Sequence, residues 1–161
     1  MSSIQQFLVI GGLFLLGILI LNTNKANSIS SDQIYNNEAV IAGTGAGQTL
    51  INQILSKAFD EKTVTSAVTK ISDLTPAAKL GKDTGENSIT QFNDVDDYDS
   101  YSDTETIGRL GDFDIKVSVY YVTYNSPDVK SSTATFLKRV DVAVTNSLLK
   151  DKLKFSQLVS Y

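Results

Sequence analysis

Phe7 to Leu21, "FLVIGGLFLLGILIL", is an unbroken run of apolar residues and glycines, and no charged side chain occurs from Met1 to Asn24. As a helix this run is about 22 Å long, short of the roughly 30 Å of bilayer hydrocarbon. The uncharged flanks extend the helix over 1–24 to about 36 Å, enough to span a bilayer with Gln5 and Gln6 near one interface. A secretory signal peptide would carry a basic start and a small-residue cleavage site. No Lys or Arg precedes the run and "NTNKANS" after it is a weak cleavage site, so a retained membrane or assembly helix is expected over 1–24.

Composition narrows the chemistry open to the remainder. The 161 residues suit one modest core with an appendage. There is no His, Cys or Trp, which removes thiol nucleophiles, imidazole bases, disulfides and zinc sites built from Cys or His. With a net charge of −4 and no basic run longer than Lys138-Arg139, nucleic acid is not an expected partner. "GTGAG" lies in a helical context with no strand before it, so it does not read as a phosphate loop. No enzymatic activity is expected.

No proline interrupts the chain before Pro76. Tyr35, Ala39, Ala42, Ala46, Leu50, Ile54 and Ala58 recur in steps of three and four, with Leu55 and Phe59 widening the stripe, so an amphipathic continuation of the helix is predicted over 25–60. Asn22 to Ser31 is polar and poor in strong helix formers, which predicts a local loosening before a fresh start at Asp32. Gly43, Gly45 and Gly47 each cost about 1 kcal/mol relative to alanine inside a helix; they either kink it or admit another backbone closely.

Beyond this the period changes from helical to alternating. Asp112 to Tyr124 places Phe113, Ile115, Val117, Val119 and Tyr121 on one face. Thr133 to Thr145 groups Phe136, Val140, Val142 and Val144, with Arg139, Asp141 and Thr145 facing away. Lys152 to Tyr161 groups Leu153, Phe155, Val159 and Tyr161. Short connections with turn chemistry make these an antiparallel three-stranded β-meander. Its apolar face needs a cover, and the amphipathic half of the helix supplies one. The predicted fold class is α+β: a long N-terminal helix whose hydrophobic half protrudes and whose amphipathic half packs on the meander, with a β-rich head over 61–161.

An acidic loop, 87–109, separates helix from sheet and contains "QFNDVDDYDSYSDTE". An EF-hand loop starting at Asp94 would find ligands at Asp94, Asp96 and Glu105, but Tyr98 and Asp99 fail its fifth and sixth positions. A looser calcium site from Asp94, Asp96, Asp97 and Asp99 with backbone carbonyls stays open beside the plain alternative of a solvated acidic loop.

"SKAFDE" (56–61), "LGKDTGE" (80–86), "FNDVDDYDSY" (92–101) and "LKRVDVAVT" (137–145) resemble, in this order, segments of minor pilins of the mannose-sensitive haemagglutinin pilus, and the helix-on-sheet plan is similar to that of type IV pilins and pseudopilins. The resemblance implies a structural subunit of an extracellular filament, held in the inner membrane before assembly, handled by pilus or secretion machinery and polymerising with copies of itself. Gln5, Phe7, Gly11, Gly12, Phe14, Gly17 and Leu21 would then belong to the assembly helix, the glycines permitting close helix approach. The resemblance departs at one position. Counting Met1 as the first mature residue puts Gln5 where such pilins carry a glutamate, and an amide cannot form that residue's charge pair with a neighbour's N-terminal amine. The rival reading is a single-pass membrane-anchored protein whose head binds a partner without polymerising.

Overall fold

The computed structural model describes residues 2–161. One helix, α1 (Ser3–Leu55), is followed by a short helix α2 (Glu61–Thr65) and a four-stranded antiparallel sheet of β1 (Ser102–Thr106), β2 (Asp112–Tyr121), β3 (Leu137–Thr145) and β4 (Leu153–Ser160), in the order β1-β2-β3-β4. The chain divides into two compact units, Met1–Glu38 and Ala39–Tyr161.

In the first unit, described from Ser2, the chain is helical from Ser3 onward and the expected loosening at Asn22 to Ser31 does not occur. The backbone hydrogen bonds of a helix outweigh the few tenths of a kcal/mol by which each polar residue disfavours it. The helix is long and apolar enough to cross a membrane by length and composition.

The second unit is the head. Ala39, Gly43, Gly47, Leu50 and Ile54 of α1 are buried in it. They share a core with Phe92, Val95 and Tyr98 of the acidic segment and with the inner faces of β2 and β3. β2 alternates as expected, with Phe113, Ile115, Val117, Val119 and Tyr121 buried. Gly43 and Gly47 stand one turn apart, and both face β4 or β2. A Cβ on Gly47 would lie 2.5 Å from Cε2 of Phe155, and one on Gly43 would lie 3.0 Å from Cδ1 of Leu153, while one on Gly45 would meet nothing within 4 Å. Close approach, rather than a kink, explains two of the three glycines.

Three expectations are corrected. The sheet has four strands: Ser102–Thr106, inside the predicted acidic loop, pairs with β2 through Thr104↔Asp114 and Thr106↔Asp112. Both partnerships carry a side-chain bond, Thr104 Oγ1 to Asp114 Oδ1 at 2.8 Å and Thr106 Oγ1 to Asp112 Oδ1 at 2.6 Å. β1 is exposed along its length, so no apolar alternation marks it. The helix stops at Leu55 rather than 60, because Ala58 leaves it to pair with Asp94: Ala58 N–H donates to Asn93 O and Val95 N–H to Ala58 O. Leu55 is consequently exposed, and so is Tyr35, which lies in the first unit.

Candidate functional site

Two features are candidates for a site: the apolar part of α1 and the acidic segment of the head. In the first, every large apolar side chain from Ile4 to Leu21 is exposed, Phe7 by 77%. Phe7, Phe14 and Leu21 stand in the open, and a Cβ on Gly11, Gly12 or Gly17 would meet nothing within 4 Å. Gln5 does local work that spacing had not suggested. Ser2 N–H donates to Gln5 Oε1 at 3.0 Å while Gln5 N–H reaches Ser2 Oγ at 3.4 Å, the reciprocal capping box of an S-x-x-Q start.

In the second feature the solvated-loop expectation fails for Asp94, Asp96 and Asp97, which are all buried, and holds for Asp103 and Glu105, which are exposed. Asp94 Oδ1 accepts from the backbone N–H groups of Asp96 (2.8 Å) and Asp97 (3.1 Å), and Asp97 Oδ2 accepts from those of Asn93 (2.8 Å) and Asp94 (3.1 Å). The two carboxylates thus close a single 3-10 turn, Asp96–Tyr98, on itself. Asp99, half-buried, turns the other way. Its Oδ1 accepts from Val119 N–H at 2.9 Å, satisfying a β2 donor beyond the last residue that β1 pairs.

Asp96 faces a residue that the strand pattern contained but that had not been singled out. Lys138 lies on β3 at the parity of Phe136 and Val140, and it is 0% exposed. Its Nζ donates to Asp96 Oδ1 (2.5 Å), Phe59 O (2.6 Å) and Asp60 Oδ2 (3.3 Å), which uses all three ammonium protons. The rings of Phe59 and Tyr121 lie over it, with centroids at 4.6 and 5.1 Å. Asp60 is held from several sides: Lys62 N–H, Thr75 N–H and Thr75 Oγ1 donate to Oδ1, and the Tyr121 hydroxyl donates to Oδ2 at 3.0 Å.

These surroundings push the carboxyls apart. Burial alone would raise Asp60, but the Lys138 ammonium, the Lys62 and Thr75 amides and the Tyr121 hydroxyl outweigh it and hold the group below its ordinary value. Asp96 is raised by burial despite the lysine beside it. Asp94 is pushed up to about 8 by burial and then by the charges of Asp96 and Asp97. Glu86 is pushed up to about 7, by burial and by its hydrogen bond with Asp97.

Of the four candidate calcium ligands, Asp94, Asp96 and Asp97 lie close enough for their charges to interact, yet each already has a partner: Asp94 and Asp97 accept backbone N–H groups around the turn, Asp96 pairs with Lys138, and Asp99 accepts from a β2 amide. Among the described residues no group of three or more acidic side chains is placed to hold a metal ion. No family model, curated protein or solved structure matches the chain.

Proposed function

We propose that this chain is a structural subunit of an extracellular filament of the type IV pilus or pseudopilus kind, inserted in a membrane before assembly and polymerising through its N-terminal helix. The observation that carries the reading is the exposure of the apolar residues of α1 from Ile4 to Leu21, on every side of the helix. Such a surface is unstable in water. At about 25 cal/mol per Å² of apolar area, mutual burial among copies supplies tens of kcal/mol per subunit before the costs of ordering and of lost lipid contacts. The ordered segment resemblances in the head support the same reading.

A membrane anchor alone would cover the same residues with lipid, and shearing separates the two. Filaments containing this chain, recovered from the supernatant of sheared cells and imaged by electron microscopy, are the expected result. Recovery solely as a detergent-extracted monomer would sink the proposal.

A further inference from the structure

We propose that the head cross-links itself: Lys138 Nζ condenses with the side-chain carboxyl of Asp96 to form an intramolecular isopeptide bond, with Asp60 as the proton-transferring group. The inference stands on the geometry of the head and does not depend on polymerisation.

The argument begins with what a buried lysine costs. An ammonium and its carboxylates lose their hydration on burial, and even a well-paired ion cluster recovers that loss incompletely. Here the nitrogen lies 2.5 Å from Asp96 Oδ1, which with a C–O bond of about 1.23 Å puts it no more than about 3.7 Å from the carboxyl carbon, at the edge of the near-attack range. Both groups are held: Lys138 by the Phe59 carbonyl at 2.6 Å, and Asp96 within the 3-10 turn that Asp94 and Asp97 close. The Phe59 and Tyr121 rings over the nitrogen keep water from competing. Condensation replaces the Lys138 and Asp96 charges by one neutral amide and removes their desolvation cost, while Asp60 keeps the hydrogen bonds from Lys62, Thr75 and Tyr121.

The step balances without any other reactant. Lys138 enters as the ammonium and Asp96 as the carboxylate; one proton passes from nitrogen to the Asp96 carboxyl, leaving a neutral amine and a neutral acid. The nitrogen lone pair forms the C–N bond at Asp96 Cγ. Asp60 Oδ2, 3.3 Å from the nitrogen, takes the second amine proton and returns it to the hydroxyl that leaves as water. One C–N bond forms, one C–O bond breaks, one water departs and Asp60 ends as it began. The environments suit these roles, since Asp96 is biased toward its protonated form and Asp60 toward its ionised form. The bond would tie β3 to the acidic segment 42 residues earlier.

Intact-mass spectrometry of the folded full chain, extracted in detergent, is the primary test. The expected mass is one water below the sequence formula, and a peptide digest should yield a branched peptide joining the segments that contain Asp96 and Lys138. Lys138→Arg and Asp96→Ala should restore the full mass. Asp96→Asn should condense with loss of ammonia and so reach the same product mass as the natural chain. Asp60→Asn should fold yet remain uncondensed. Because some variants risk failing to fold, the natural chain decides by itself: the full formula mass in folded protein overturns the proposal. A water deficit that persists in Lys138→Arg, or a branch at Asp60, overturns it equally.

Discussion

Lys138 and the carboxylates around it show how much a single buried charge can organise. Lys138→Met takes the ammonium from Asp60 and Asp96 and also forbids the proposed cross-link, so it is expected to destabilise the head by at least about 3–5 kcal/mol, read from denaturant unfolding. Asp94 behaves differently. Its carboxyl rises from 3.8 in the unfolded chain to about 8, so the stability it contributes is complete below pH 4 and is lost as the pH climbs toward 8. Asp60, held below its ordinary value, acts in the opposite sense and withdraws its contribution only in stronger acid. The unfolding midpoint should therefore be higher at about pH 5 than at about pH 8. Asp94→Asn keeps the Oδ1 acceptor for two backbone N–H groups while removing the charge, and should flatten that dependence. Since the aspartates are occupied by backbone donors and by Lys138, millimolar calcium is expected to leave the melting temperature unchanged.

At the scale of elements, the three clustered glycines of α1 predict effects of opposite sign. Gly47→Ala drives a methyl into the Phe155 ring and should cost about 1–3 kcal/mol, whereas Gly45→Ala meets open space and should gain up to about 1 kcal/mol from helix propensity. Thermal denaturation of the two variants in parallel tests this. The β1–β2 connection is equally constrained: Gly111 adopts φ 76° and ψ −151°, a conformation almost confined to glycine. Gly111→Val should cost about 1–3 kcal/mol and expose the β1 amides to faster hydrogen exchange. The strand period made β2 legible, since its inward residues alternate without a break. The same period assigns Lys138 to the dry face of β3, yet a lysine among valines reads as an interruption until its partners are known. β1 could not be read this way, because Ser102–Thr106 buries nothing and owes its place to hydrogen bonding with β2.

For the whole molecule, the filament reading makes the glycines of the apolar run testable. Gly11→Leu and Gly12→Leu preserve an apolar helix and should leave membrane insertion intact. If close helix approach is needed, they should abolish filaments in sheared supernatants. Filaments of ordinary abundance from these variants would remove close packing at the glycines from the assembly model.

The existence of the long helix, the apolar faces of β2, β3 and β4 and the α+β class follow from the sequence by itself, because each depends on local periodicity along one segment. Only the tertiary structure decided that Phe155 and Leu153 press on Gly47 and Gly43, that Ala58 leaves the helix for Asp94, and that β1 completes the sheet. It also decided the fate of the acidic segment. Five aspartates and a glutamate within fifteen residues read as a wet loop or a cation site. The burial of Asp94, Asp96 and Asp97 depends on a lysine 42 residues beyond Asp96 and on backbone donors that exist only once the 3-10 turn has formed, while Asp103 and Glu105 stay exposed on β1. Periodicity is a property of neighbours in the chain, whereas the compensation of a buried charge is a property of neighbours in space.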